Sequence, residues 1–577
     1  MGNETKTSVR KRLALAAVFL VAATAGSRIL GLVREVVMGA MLGWETDTLG
    51  AFTVAYKIPS LVRTLLADTA LSAALIPVFS GLLQKKRRKE AWQVAYTVTF
   101  LATVTLGVVC VLGMLFAPQV IRVLAIGADY KTPEMIALMA DLMRIMFPTV
   151  VILGIAGIFM GILNSYNHFA APALAPIVWN LVIIGAVVGF ARYGVEALAW
   201  GVLAGTVLEL LLQAPFVWVR RWRRRRDGFE HLRGAHFYGQ KGGAWSSSAP
   251  ADALTPGSPW RLDFRNPEVR RVGLLLGPVV ISLGIINFNS FIDTAISTLI
   301  SLPEELAAPA VIERAFRLFQ LPQGVFAIAI GTVLFPAFSR HVAARRMADF
   351  REDLSTGLRQ ILFVTLPFAA LFAVLSVPTV RLVFGYGKVT ETGIEYTATA
   401  LMYFSVGMAF VSANTLLNRA FYAIRQPWLP LIAGIINLAL NFVLDIFLYK
   451  PLGVGGITLA TSLVSTFNFF ALMFLLSPRI GGVDGRRVTW SAIRSVLSLA
   501  PLGGAAYVVW YLLDQALGRS TGAQVLSVGL AYLAGGAVYC LTASALGMTE
   551  LRDVVRIVRR RRRPRETEVV IDSEGGG

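Results

Sequence analysis

Apolar stretches of about 20 residues or more recur along nearly the whole of this 577-residue sequence. They lie at 13–43, 50–83, 91–117, 135–163, 172–192, 195–219, 269–300, 306–338, 357–377, 394–422, 428–449, 454–477, 490–514 and 523–547. A helix needs about 20 apolar residues to cross a hydrocarbon layer of ~30 Å, and inside that layer a helix satisfies its own backbone polar groups. The pattern therefore predicts an all-α polytopic membrane protein with about 14 transmembrane helices. Only 15% of the residues are charged, against roughly a quarter in ordinary soluble domains, which leaves no room for a large soluble domain.

The formal net charge is +20, a value that raises the question of nucleic-acid binding. Its distribution argues against that, because the basic residues gather in short clusters between apolar runs: "QKKRRKE" (84–90), "RRWRRRR" (220–226), "SRHVAARR" (339–346) and "RRRRRPR" (559–565). With the N-terminus inside, every such cluster falls on one side, as the positive-inside rule requires. The loops assigned outside, such as "GWETD" (43–47) and "GADYKTPE" (127–134), are short and mixed or acidic. Both termini are expected in the cytoplasm, with no nucleic-acid partner. The opening "KTSVRKR" resembles the start of a signal peptide, but the apolar run continues to Gly43, so an uncleaved first helix is expected. Cys110 and Cys540, far apart in apolar runs, read as small buried residues rather than a disulfide or metal framework.

A polar stretch over 220–268, rich in arginine and then in Gly, Ser and Pro, reads as a flexible cytoplasmic linker after six helices. The halves on either side resemble each other. "IPVFS" (76–80) returns as "FPAFS" (335–339), and "APQVIRV" (117–123) as "VPTVRLV" (377–383). "LNSYNHFAAPALAP" (163–176) returns as "LNRAFYAIRQPWLP" (417–430), and "YGVEALA" (193–199) as "LGVGGIT" (452–458). Four matches in order at offsets of 254–260 residues span six helices, an even number, so the repeats keep one orientation. The expected organisation is an N-terminal lobe over 1–219, the linker over 220–268 and a C-terminal lobe over 269–477. Helices 13 and 14 over 478–550 and a basic tail over 551–577 complete it. Two parallel six-helix lobes around a central cavity form a transporter architecture.

Spans one, two and eight carry charges that cost about 3 kcal/mol each at the membrane midplane. At 1.5 Å per residue, Arg28 lies about 22 Å from the cytoplasmic start of span one. Arg63 lies roughly 20 Å, and Arg317 about 16 Å, below the outer starts of spans two and eight. Three arginines from both halves thus share mid-membrane depths, with Arg34 nearer the outside. Internal salt bridges are one reading: Arg28 with Glu35, Arg63 with Asp68, Arg314 with Glu313. Together, however, these spans hold five arginines and three acids, which favours a cavity that binds an anion. Arginine supplies forked contacts to phosphate or carboxylate oxygens.

The segments "SRILGLVREVV" (27–37), "AYKIPSLVRTLLADTALSAALIPVFS" (55–80), "RAFRLFQLPQGVFAIAIGTVLFPAFS" (314–339), "VFGYGKVT" (383–390) and "FYAIRQP" (421–427) carry a resemblance. They are similar to the MviN/MurJ lipid II flippases of the multidrug/oligosaccharidyl-lipid/polysaccharide exporter superfamily, over roughly residues 10–550. The resemblance implies a fourteen-helix, two-lobed fold that flips lipid-linked peptidoglycan precursor by alternating access. It implies substrate-binding roles for Arg28, Arg34, Arg63 and Arg317, and further places for Glu35, where an aspartate is usual, and Asp47, beside a slightly longer loop. Lipid II and membrane lipids are the implied partners, together with the cell-wall synthesis machinery.

A second polar set lies on other helices: Asp293 in span seven, Asn441 and Asp445 one turn apart in span eleven, and Thr461 in span twelve. Carboxylates, an amide and a hydroxyl suit a hard monovalent cation. The resemblance implies sodium as the coupling ion. A buried hydrogen-bonded polar cluster is the other reading, and both stay open at this point. No further cofactor is expected.

Other function classes fare worse. The histidines at 168, 231, 236 and 341 fall in or beside cytoplasmic loops without metal-ligand spacing, and no nucleotide loop or nucleophile motif occurs, which argues against an enzyme. A scaffold would tolerate loss of the intramembrane arginines. Within transporters, the alternatives are another polyprenyl-diphosphate oligosaccharide flippase and a drug or cation antiporter.

Overall fold

A computed structural model of the chain describes residues 23, 26–166, 168–222 and 262–551. Most of the linker, the basic tail and the start of span one lie outside the described residues. Within them the chain is helical, with two isolated β-bridges, Glu45 to Leu306 and Ser301 to Ala307, and no strand. Ten helical segments among the described residues are long and apolar enough to cross a membrane. The described parts of the other four expected spans, 13–43, 50–83, 269–300 and 306–338, coincide with helical segments outside that set.

The first half runs α1 (26–42), α2 (Ala51–Val62), a π-helical turn (Arg63–Ala67), α3 (Asp68–Gln84), α4 (Arg88–Leu115) and α5 (Ala117–Leu124). It continues with α6 (Pro133–Met146), α7 (Pro148–Ser165), α8 (Ala170–Gly189) and α9 (Gly194–Trp222). The second half comprises α10 (Pro267–Ser297), α11 (Ala308–Ala343), α12 (Met347–Val374), α13 (Ser376–Phe384), α14 (Glu391–Ala423), α15 (Trp428–Leu452) and α16 (Val454–Ile480). Then come α17 (Gly485–Leu497), α18 (Leu499–Leu517) and α19 (Thr521–Ala545).

Local chemistry sets several of these ends. Thr132 caps α6 by accepting from the Met135 N–H, and Asn266 caps α10 by accepting from Glu268, each just before a proline at the first helical position. Proline tolerates that position because its missing N–H has no partner there anyway. The run 135–163, read as one span, is two helices that meet at Phe147–Pro148, and 490–514 is interrupted at Ser498.

The internal repeat is visible in the backbone. Long α4 is followed by short α5, and long α12 by short α13. The turns that follow α3 and α11 each use a basic residue in the left-handed region, Lys86 (φ 60°) and Arg345 (φ 57°). Glycines in that region precede the same stretch of the later helices, Gly194 (φ 56°) and Gly453 (φ 54°). Unusual backbone recurring at one sequence offset is stronger support for a duplication than apolar residues recurring, because apolar residues are abundant throughout.

The chain forms two compact units. One comprises Met1–Arg314, Val383–Thr397 and Leu438–Ile457. In it α7 packs against α3, α4 and α9, α2 packs against α6, and α10 lies on α3. The pair α8 and α9 is drawn close by Gly201 and Gly205, whose Cα positions face the Ile183 and Trp179 backbones. A Cβ at Gly205 would stand 3.1 Å from the Trp179 carbonyl oxygen, so this small-residue seam seats Trp179. The other unit comprises Ala315–Leu382, Ala398–Asn437 and Thr458–Gly577. Its core joins Phe338, Phe350, Leu358, Leu416, Phe421 and Leu472, while α18 and α19 pair and α12 packs against α17 and α18.

Within the first unit, four loops that the charge pattern assigns to the outside are knitted together. Ala307 N–H donates to the Trp44 carbonyl at 2.9 Å, and Thr46 Oγ1 donates to the Glu305 carbonyl at 2.8 Å. Thr298 Oγ1 accepts from the Ile126 and Gly127 N–H groups, both at 3.1 Å. Lys388 N–H donates to the Ala40 carbonyl at 3.0 Å, and Trp44 meets Phe384 edge to face at 5.9 Å. Gly387 (φ 64°) presses against Ala40 so closely that a Cβ there would overlap the Ala40 carbonyl oxygen. Tyr130 is buried here, and that burial pushes its phenol above its ordinary range.

Candidate functional site

The charged residues of span one do not pair as their spacing suggests. Glu35, 3% exposed, is bound at 2.6 Å by its neighbour Arg34 and approached at 3.7 Å by Arg314, which is 1% exposed. Arg314 also donates to the Ala310 carbonyl at 2.9 Å and to Thr53 Oγ1 at 3.4 Å. Arg28 is half-buried and, among the described residues, makes no ion pair, so it is not the partner of Glu35.

Trp179 on α8 organises two guanidiniums. Arg34 lies 4.9 Å and Arg63 5.8 Å from the centroid of its ring, and the indole N–H donates to Thr206 Oγ1 at 3.2 Å. Arg63 also donates to the Tyr56 hydroxyl at 3.2 Å. It opens the π-helical turn in span two, where the wider winding re-aims the side chain relative to an α-helix. Cation–π contact fixes a guanidinium without consuming its forked donors, which is useful for holding oxyanions. Arg34, Arg63, Glu35 and Arg314 are thus brought together by α1, span two, α8 and the start of α11. Sequence reasoning did not select Trp179, since nothing local distinguishes it from other tryptophans in apolar runs.

Two further candidates have no described contact with this group. Asp47 is exposed in the loop beyond the outer end of α1. Arg317 is half-buried on α11, within the second unit.

The second polar set is partly assembled in the first unit. Asn441 Nδ2 donates to Asp293 Oδ1 at 2.6 Å and to Asp445 Oδ2 at 2.9 Å, so one amide bridges two carboxylates. Asn289 donates to the other Asp293 oxygen at 3.3 Å, and Lys57 donates to Ser290 Oγ at 2.6 Å, one turn before Asp293. Asn441 and Asp445 are essentially inaccessible, yet Asn441 Oδ1 and Asp445 Oδ1 have no hydrogen-bond partner among the described residues. Two buried oxygens that lack donors fit a small cation, which accepts oxygen lone pairs directly. Among the described residues no group of three or more His, Cys, Asp or Glu side chains could hold a metal ion, so any cation here depends on the amide as well as the carboxylates. Thr461 belongs to the second unit.

Residues 38–521 match the family model described as lipid II flippase MurJ. The chain belongs to the MurJ family of lipid II flippases. Among MurJ relatives, a probable lipid II flippase MurJ of Rhizobium meliloti is 30% identical over 562 residues, covering 93% of this chain and 95% of its own. Another from Buchnera aphidicola is 28% identical over 449 residues, covering 77% of this chain and 80% of its own. A solved structure of lipid II flippase MurJ in an inward closed conformation superposes with a TM-score of 0.72 at 22% identity, over 93% of this chain and all of that one. An inward-facing multidrug resistance MATE transporter of the MOP superfamily gives 0.59 at 15% identity, over 79% of this chain and 94% of that one. These two likenesses establish the MurJ and MOP-superfamily fold.

Proposed function

We propose that this protein flips lipid II, the lipid-linked peptidoglycan precursor, from the cytoplasmic to the outer leaflet of the bacterial plasma membrane, with both termini in the cytoplasm. The observation that carries the reading is the pair of guanidiniums, Arg34 and Arg63, held on one indole inside the membrane-spanning part of a MurJ-family chain. As the family resemblance implies, Arg28, Arg63 and Arg317 would contact the diphosphate, and Arg34 shares the Trp179 ring with Arg63. Glu35 is a positioning acid: its carboxylate is engaged by Arg34 and Arg314 and would repel a diphosphate that approached it directly. Asp47, exposed outside the cluster, acts at the outer mouth. The apolar tail of the substrate stays in lipid while the headgroup crosses, so the protein has only the polar part to shield.

Alternating access needs an outer seal that forms and breaks. The loop contacts around Trp44, Thr298 and Gly387 supply it, because each is a small set of hydrogen bonds and close packing rather than a large apolar interface. Asp293, Asn441 and Asp445, with Thr461, would hold sodium; the partnerless oxygens of Asn441 and Asp445 support that fit. A bound monovalent cation adds one charge on which the membrane potential acts, about 2.3 kcal/mol per 100 mV. The cell-wall synthesis machinery would consume the product.

Reconstitution into vesicles tests the proposal. Fluorescent lipid II placed in one leaflet should become accessible to an impermeant quencher on the other side, faster with protein than with empty vesicles. An undecaprenyl-diphosphate oligosaccharide of different sugars flipped equally fast, or a drug cation moved instead, would assign the protein to a neighbouring transporter class.

A further inference from the structure

A basic cleft of about 480 Å3 lies in the second unit, on helices that the transport reading does not use. Arg486, Arg487 and Arg494 of α17, Arg359 of α12, Trp490 and the segment Gly547–Glu550 line it. That volume falls within the roughly 300–1,000 Å3 of small-ligand sites.

The base of the cleft is built rather than incidental. Glu550 is buried, and its Oε1 accepts from Arg359 at 2.9 Å and from Ser491 Oγ at 2.9 Å. The other carboxylate in the lining, Asp484, is held by Arg487 at 3.1 Å. Both acids are therefore spent on internal pairs. Arg486 and Arg494 pair with no carboxylate among the described residues, and Arg359 Nε is buried without a hydrogen-bond partner there. The cleft keeps a surplus of guanidinium donors.

Its surroundings identify the ligand. The helix α17 is the first part of a segment, Gly485–Leu517, long and apolar enough to cross a membrane, and it exposes Trp490, Ile493, Val496 and Leu497. At the start of such a segment, an apolar stripe beside three arginines suits the membrane surface, with the stripe toward acyl chains and the arginines at headgroup level. The basic cluster "RRRRRPR" (559–565), which follows α19, marks this end as cytoplasmic by the positive-inside rule. We infer that the cleft between α17, α12 and Gly547–Glu550 binds the phosphate headgroup of an anionic glycerophospholipid from the cytoplasmic leaflet. Guanidiniums grip the phosphate while Trp490 and the stripe beside it face the acyl chains, so a lipid gains both contacts and free phosphate only one.

The test uses the full-length protein in detergent at constant ionic strength. Phosphatidylglycerol should raise its melting temperature, whereas phosphatidylcholine and inorganic phosphate should not. The double variant Arg486→Ala/Arg494→Ala should melt at the same temperature without lipid and lose more than half of the phosphatidylglycerol shift. Native mass spectrometry should show the matching loss of retained phosphatidylglycerol. An equal shift and equal retention in wild type and variant would overturn the site. A shift produced by inorganic phosphate alone would overturn the lipid assignment. If the double variant is unstable, Arg494→Gln alone serves the same comparison, with wild-type retention as the overturning result.

Discussion

Glu35 and Arg314 approach to 3.7 Å although they stand on the first and the eighth expected spans, and both are almost completely buried. Losing either costs the other one of its buried charge contacts, at up to about 3–5 kcal/mol, although Glu35 keeps Arg34 and Arg314 keeps the Ala310 carbonyl, whereas replacing both with apolar groups is often nearly neutral. Glu35→Gln and Arg314→Met should each lower the melting temperature of the purified protein markedly, and the double variant should lose much less than the sum. Strict additivity in this double-mutant cycle would show that the two residues are not coupled.

The diphosphate reading expects Arg28→Ala, Arg63→Ala and Arg317→Ala each to abolish rescue of flippase-depleted cells while the protein still inserts. Lysine should restore part of the activity at best, because it lacks the planar fork. Full rescue by all three alanine variants would make these arginines structural.

Trp179 gives a subtler test. Cation–π contacts are worth roughly 0.5–2 kcal/mol, so Trp179→Leu should weaken lipid II binding or slow flipping by about 2- to 30-fold. Trp179→Phe, which keeps a weaker aromatic face, should fall between wild type and leucine. Leucine and phenylalanine variants with equal activity would remove the ring from the substrate site.

The outer seal should fail when Gly387 gains a side chain. Gly387→Ala forces the backbone away from Ala40 and should stop transport without preventing insertion. Leu306, buried at the seal, reports the change: in a background with Cys110 and Cys540 replaced by serine, Leu306→Cys should react faster with an impermeant maleimide once Gly387→Ala is added. Unchanged labelling would place the seal elsewhere.

For the cation, sodium should raise the melting temperature by mass action on the folded state. Asp445→Asn and Asp293→Asn should each erase most of that shift. Equal shifts in wild type and both variants, at constant ionic strength, would remove the site.

The membrane-spanning runs and the duplication were legible because they rest on composition and on short motifs at a fixed offset, which local sequence carries. Pairing was less legible. The spacing of Arg28 and Glu35 places them on one helix face, but which cation reaches Glu35 depends on how α11 approaches α1, and Arg314 reaches it. Likewise the π-helical turn at Arg63 and the seat of Trp179 against Gly205 arise from packing between helices, so neither leaves a local signature. The carboxylate–amide cluster was easier to find, because Asn441 and Asp445 are one turn apart and polar residues stand out in an apolar run. The breaks at Pro148 and Ser498 went unread because apolarity continues through them.

The first unit is assembled from three separate pieces of chain, the last of which ends at Ile457. During synthesis it therefore stays incomplete long after Arg314 has emerged, by on the order of ten seconds at ~5–20 residues per second. For most of that delay Asp293 has been made but Asn441, the amide that bridges it to Asp445, has not. For that time Asp293 has Asn289, one turn away on its own helix, but not the bridging amide. Slowing translation between residues 314 and 438 should lower the yield of inserted protein more than an equal slowing after 457.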